Sequence, residues 1–525
     1  MESVTRYIDE NRQRYIDELK EFVGIPSVST LPEARGEVFR AADFVKRHLE
    51  AAGLDVRVMP TKGFPVVYAE WTKKPNAPTV LVYGHYDVQP PDPIDKWRHG
   101  PFSPTIEGDD LIGRGATDDK GQVFAHVKAV EAWFRAGGEP PVNVKFCIEG
   151  EEEIGSPNLD AFVHENKDLL ACDMVVVSDS SQLGPGRPAI TYGLRGLVYM
   201  EVKITGPDHD LHSGSYGGMI ENPGRALARL VASFHDKDGR VTIPGFYKDV
   251  VELTPAERSD FKKLAKKDAE YMKEIGAPKP WGEKGYTILE RVWARPTCEI
   301  NGLYGGFMGT GAKTVIPSQV GVKVSMRLVA NQDPEKIVEG FKAHVAKTLG
   351  NTVTYEILRH SASAPVLVPR SGPAAEVAMK ATERGFGARP YFIREGGSIP
   401  VVLTFNKVLN APVSLLGFGL PDDRAHSPNE KFHLPDFQRG ILTSAYVLEE
   451  AANVPKGGFA ATGAPATKAP AARRTTTSKN GRAPQAKVMK PAARRAGGAK
   501  NKKTKKAAAG GKKAKKRRRL AGAGR

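Results

Sequence analysis

The 525-residue chain carries 77 Lys+Arg against 60 Asp+Glu, a formal net charge of +17. That charge is unevenly placed: residues 455–525 hold 23 Lys+Arg and no Asp or Glu, which leaves 54 basic and 60 acidic residues, a net −6, in 1–454. A mildly acidic body, long enough for two or three domains, therefore carries a strongly basic tail. Cys147, Cys172 and Cys298 form no CxxC pair, which argues against a disulfide framework and a thiolate zinc site. No run approaches the roughly 18 apolar residues of a membrane span, and the charged start lacks a secretory h-region, so a cytoplasmic protein is expected.

In chain order, residues 1–22 read as an amphipathic helix, with Tyr7, Ile8, Tyr15, Ile16 and Leu19 near helical spacing. Four short β-rich runs follow: Thr79–Tyr83, Val142–Ile148, Met174–Val177 and Val413–Phe418. They are separated by loop or helix-like sequence such as Ala125–Arg135, as in an α/β sheet with helices on its faces. Between 196 and 362 the texture changes. Strands at 197–204, 320–329 and 352–358 accompany helical patterns at 224–234, 255–275 and 333–349. The expected organisation is an α/β sheet domain from 1–195 and 363–454, interrupted by an inserted α+β domain, 196–362. A helix near 434–452 closes the body. The tail, 455–525, is low in complexity, repeats PAARR, and is expected to be disordered.

The acidic and histidine residues follow the strands. The first run ends in Gly84-His85-Tyr86-Asp87, the second in Glu149-Gly150-Glu151-Glu152-Glu153, the third in Ser178-Asp179, and the fourth precedes Asp422, Asp423 and His426. A glycine-rich turn, Gly113–Gly121, adds Asp118 and Asp119. Open α/β sheets bind ligands beyond the carboxyl ends of their strands, so these side chains converge on one rim. Imidazoles with several carboxylates and no thiolate suit two divalent metal ions, zinc first, with manganese or cobalt as alternatives. Singly, each segment has a plain reading: a turn aspartate, a solvated acidic run, a helix cap at Asp179. Five segments obeying one rule favour the metal site.

GHYDVQP, GATDDKGQ, EGEEEIGS, ITYGLRG, HDLHSG, KTVIPS, REGGSIP and AHSPNE together resemble the M20 metallopeptidases, nearest the cytosolic nonspecific dipeptidase branch, over about 1–454. The resemblance implies that His85, Asp118 and Asp179 hold one metal and that Asp118, Glu153 and His426 hold the other. It makes Glu152 the general base and has Asp87 orient the His85 imidazole. It also implies a cis Asp118–Asp119 peptide and a lid domain, the inserted one, that mediates a homodimer. His212 would then reach the active site of the partner subunit and stabilise the oxyanion, with Arg327, Thr314 and Ser398 contacting the substrate. Without the resemblance, His212 reads as a turn residue and Arg327 as a solvated strand residue. Aspartate at 179 goes with dipeptidases and aminopeptidases in this family, glutamate with carboxypeptidases and N-deacylases; N-acyl-amino-acid deacylation is the alternative chemistry. Glu151, the third consecutive carboxylate, is expected to face solvent.

For the tail, 23 cations without an anion point to nucleic acid or another polyanion. An anionic membrane face and a solvated appendage are the alternatives, and Lys512–Arg519 would also pass as a nuclear-import patch. In that second class of reading, the body is a scaffold for a nucleic-acid-associated protein rather than an enzyme.

Overall fold

The computed structural model describes residues 1–397, 399 and 401–459. Three runs rich in Val, Ile and aromatics, Asn143–Glu149, Thr79–His85 and Met174–Val177, are buried at every position. With Val413–Leu415 they lie side by side in that order, all parallel. Burial on both faces explains why these strands show no polar alternation. Val66–Trp71 and Asp55–Met59 extend one side antiparallel. On the other side Ala189–Leu194 joins antiparallel, and Val366–Leu367 and Tyr391–Glu395 pair with it. None of these five flanking strands was read from the sequence; Val66–Trp71 and Ala189–Leu194 are buried almost throughout and so show no alternation.

Helix Gly121–Ala132 is buried along its whole length, with Leu434–Ala451 and Arg35–Ala52 packed on the same core. Even its Lys128 is enclosed, paired with Glu18 at 2.6 Å and Glu131 at 2.8 Å. The N-terminal segment is two helices, Glu2–Glu10 and Arg12–Val23, rather than one. The break falls at Asn11, whose side chain donates to Tyr7 O at 2.8 Å and so competes with the helical ladder.

A second, antiparallel sheet runs Thr297–Gly305, Gln319–Leu328, Gly196–Thr205, Thr354–Ser363. Helices Pro223–Ala232 and Pro334–Leu349 cover one face, each started by a side-chain cap (Asn222, Asp333) and a proline. The pattern at 255–275 is also two helices, Pro255–Leu264 and Asp268–Ile275, because Ala265 turns extended. Phe261, Leu264, Leu289 and Ala294 share a core with Ala189, Tyr192 and Ile393 of the first sheet, not with the second. Glu257 secures that packing, accepting from Arg394 Nη2 at 2.5 Å and Tyr192 Oη at 3.0 Å.

No helix among the described residues is long and apolar enough to cross a membrane. Residues 455–459 depart from the disordered-tail expectation: they form a turn docked on the body, with Phe459 2 % exposed. Residues 460–525 lie outside the described set.

Candidate metal centre

The parallel strands deliver their polar successors to one rim. His85 closes its strand, Asp179 lies two residues beyond Val177, and Glu152 and Glu153 open a single turn after Glu149. Asp118 arrives from the glycine-rich turn, where its peptide to Asp119 is cis. His426 arrives from the loop after Val413–Leu415 with φ +62°, a backbone state that β-carbon residues enter only when the surroundings demand it.

Two groups of candidate ligands result: His85, Asp118 and Asp179, and Asp118, Glu153 and His426, the donor atoms within each group lying within 4.8 Å of one another. Asp118 belongs to both. Its Oδ1 lies 3.2 Å from His85 Nε2 and its Oδ2 2.9 Å from His426 Nε2, which is also 3.3 Å from Glu153 Oε2.

The electrostatics fit divalent cations. Burial, then repulsion from Asp118, pushes the Asp179 carboxyl up to about 7, and burial likewise raises Glu153 and Glu152. Hydrogen bonding to Asp118 and Glu153 raises His426 to about 11. Burial pushes His85 down, but Asp118 and Asp87 outweigh it and raise it. His85 Nε2 is buried and otherwise unsatisfied, aimed at the shared carboxylate. Oxygen and imidazole donors converging on one another without a thiolate are the donor set of a paired divalent site.

The surroundings hold the donors in place. Asp87 is fully buried. His85 Nδ1 lies 3.1 Å from the Asp87 carbonyl and 3.4 Å from its carboxylate. That carboxylate accepts instead from the amides of Glu152 (3.2 Å) and Glu153 (3.1 Å). Asp87 thus positions the acidic turn as well as the imidazole. Gln89 Nε2 donates to Glu153 Oε2 at 2.8 Å. A side chain at Gly84 would sit 2.7 Å from Asp119 Oδ2, so only glycine lets the strand and the Asp118 turn approach.

Glu430 was missed from sequence, although it ends the AHSPNE segment. Fully buried, it accepts from Arg114 Nη1 at 2.6 Å, Gly115 N at 3.0 Å, and Thr117 N and Asp118 N at 3.1 Å. It cradles the turn that presents Asp118, and no local pattern signals a contact 312 residues away. Asp423 is a structural support, bonded to Thr117 Oγ1 and the Leu420 amide, while Asp422 is exposed. Glu151 reverses expectation: it is 5 % exposed, and both oxygens accept from Asn158 Nδ2.

Of the remaining expected residues, His212, Thr314 and Arg327 belong to neither ligand group. His212 and Thr314 are exposed on neighbouring segments, with the Ser213 amide donating to Thr314 O at 3.0 Å. The His212 ring accepts from the Gly214 amide at 3.0 Å. Arg327 lines a cavity of ≈ 350 Å³ with Arg195, Glu299 and Ser325, and none of the five candidate ligands lines it. Ser398 lies outside the described residues.

Comparison with known proteins agrees with this geometry. The profile of Peptidase family M20/M25/M40 matches residues 81–450. Cys-Gly metallodipeptidase dug1 of Schizosaccharomyces pombe is 36% identical over 473 residues, 86% of this chain and 99% of that protein. Human Beta-Ala-His dipeptidase is 34% identical over 472 residues, 86% and 93% of the two chains. Among solved structures, the dipeptidase Dug1p of Saccharomyces cerevisiae and human carnosine dipeptidase 1 both superpose with a TM-score of 0.77, at 34% and 33% identity, covering 86% of this chain and 99% of theirs. With its acidic rim, its shared Asp118 and this match across most of the body, the chain belongs to peptidase family M20/M25/M40.

Proposed function

We propose that this protein is a metallodipeptidase that hydrolyses dipeptides at the rim formed by His85, Asp118, Glu153, Asp179 and His426. The single observation carrying this reading is the pair of ligand groups that share Asp118. Relatives 34–36% identical and named as dipeptidases support the substrate class.

His85, Asp118 and Asp179 would hold one divalent cation and Asp118, Glu153 and His426 the other. A divalent pair held by these residues would supply Lewis acidity, lowering the pKa of a water toward neutrality and polarising the scissile carbonyl. Glu152, whose carboxyl is raised by burial and further by Asp179, Glu153 and Asp118, would take the water's proton and pass it to the departing amine nitrogen. Asp87 holds Glu152 and Glu153 by their amides, so base and ligand keep one spacing. Arg327 offers a planar fork to the dipeptide carboxylate, and Thr314 and Ser398 contact the substrate. His212 donates to the oxygen on which charge develops, acting across a homodimer formed through the 196–362 domain. Zinc as the metal, a cytoplasmic location, the division at 195 and 362, and polyanion binding by the basic segment complete the reading. Resemblance, charge and composition support these points.

The test is turnover of Cys-Gly, Ala-Ala, Leu-Gly and β-Ala-His beside N-acetyl-ornithine, with zinc or manganese added to metal-stripped protein and Glu152→Gln as control. Dipeptide hydrolysis reduced about 10²–10⁴-fold in Glu152→Gln, at unchanged metal content, is expected. Activity confined to the N-acyl substrate would refute the reading.

A further inference from the structure

Glu395 closes the strand Tyr391–Glu395 and opens the EGGSIP segment. The pairing of this strand with Ala189–Leu194 slips by one residue, Ile393 lying opposite Thr191 and Arg394 opposite Gly193. Irregularities of this kind re-aim the side chains that follow. Arg394 is buried and bonded to Glu257. Glu395 goes elsewhere: its Oε1 accepts from the Ser181 amide at 2.8 Å and from Thr191 Oγ1 at 3.3 Å. Ser181 lies two residues beyond Asp179, so this carboxylate stands against the loop that carries a candidate ligand. Burial first, then the charges of Asp118, Glu153 and Glu395, raise the Asp179 carboxyl, which puts Glu395 within electrostatic reach of the rim.

Among the described residues no group donates to Glu395 Oε2, and no Lys, Arg or His pairs with this side chain. Burial pushes its carboxyl up to about 7, and the bonds from Ser181 and Thr191 only partly offset that. Carboxylates removed from water ordinarily have a cation beside them. The metal pair is not that cation. Glu395 belongs to neither ligand group, and two divalent ions are already balanced by the carboxylates of Asp118, Glu152, Glu153 and Asp179. The side chain is half-buried, so a positive group at the rim can reach it. A dipeptide brings one: its α-amine, with an ordinary pKa of about 7.7–8.0, is mostly protonated near neutral pH. An N-acylated amino acid is neutral at that end.

We propose that the Glu395 carboxylate receives the protonated α-amine of the dipeptide, and so selects substrates with a free amino end over N-acyl amino acids. The assignment rests on the dipeptidase reading and deepens it, giving a partner to the end of the substrate opposite its carboxylate.

The test compares Ala-Ala with N-propionyl-alanine, which has the same scissile amide and lacks only the amine, in wild type, Glu395→Gln and Glu395→Asp with metal content measured. Glutamine keeps an oxygen for the Ser181 amide and removes the charge. The preference for Ala-Ala over N-propionyl-alanine, as a ratio of kcat/KM, should fall about 10–150-fold in Glu395→Gln, through loss on Ala-Ala alone. Glu395→Asp, which returns the charge on a shorter arm, should recover part of that preference. A purely structural role would lower both substrates together; an unchanged ratio in Glu395→Gln therefore overturns the assignment. Equal turnover of the two substrates by wild type overturns it without any variant. In both of these cases hydrolysis of Ala-Ala by wild type leaves the dipeptidase reading standing. Wild type that binds metal and is silent on Ala-Ala refutes that reading and the assignment with it.

Discussion

Asp87→Asn is the most informative single substitution at the rim, since it keeps shape and removes one acceptor. In the native protein each carboxylate oxygen takes one amide, Glu152 N at 3.2 Å on Oδ1 and Glu153 N at 3.1 Å on Oδ2, and Oδ1 is also 3.4 Å from His85 Nδ1. An amide in this place must turn its NH2 toward one of those amides. One orientation releases Glu153 and the other disturbs Glu152 and His85. Losing one charge-assisted hydrogen bond in a fully buried setting costs about 1.5–3 kcal/mol, or about 10–150-fold if it appears wholly in the transition state. Supporting residues around metal ligands show losses of about 10–100-fold, the same range. The assay is kcat/KM on a dipeptide at several metal concentrations, with bound metal measured by mass spectrometry and folding checked by circular dichroism. A fall in kcat/KM that excess metal only partly restores is expected, because Glu152, the proposed base, shares its Asp87 anchor with Glu153, the proposed ligand. Wild-type kcat/KM and metal content in Asp87→Asn would show that the Asp87 carboxylate does not position the acidic turn.

Three further outcomes follow from the structure. Glu430→Gln leaves the enclosed Arg114 without its charged partner, so it should cost about 3–5 kcal/mol of stability and weaken metal retention; a melting temperature within 1 °C of wild type would contradict the cradle. Burial pushes the Glu257 carboxyl up, but the Thr254 amide, Arg394 and Tyr192 hold it at about 2, below its ordinary 4.5. Its contribution, about 2–3 kcal/mol, is therefore complete above pH 4.5 and lost as the pH falls toward 2. Glu257→Gln should flatten the decline in melting temperature between pH 5 and 3, and an unaltered slope would exclude this group as the cause. Phe459→Ala should cost about 3–5 kcal/mol as a buried ring is removed, read as a lowered melting temperature; no change in melting would mean that Phe459 is not packed in solution.

Much of the site was legible because strand polarity is local information. A β-rich run followed at once by His85, Glu152 or Asp179 announces both the strand and the end at which its polar successors emerge. The motifs then divided the donors into two sets, and the atoms of those sets lie together. The M20 motifs also anticipated the cis Asp118–Asp119 peptide. The basic composition after 459 was equally plain, since charge counting needs no fold.

Tertiary structure alone decided the rest, because those features depend on residues far apart in the chain. Glu430 reaches back 312 residues to the Asp118 amide. Glu257 meets Arg394 137 residues away, which draws the helices after Thr254 onto the first sheet and away from the second. Glu151 is buried because Asn158 satisfies both its oxygens, a contact that a run of three glutamates does not reveal. The turn at 455–459 is ordered because Asp173 and the Phe459 pocket await it across the body. Sequence determined which chemistry the rim could hold; packing decided which carboxylates serve it and which hold the frame. A carboxylate's role is set by the donors that surround it, and those donors come together only when the chain folds.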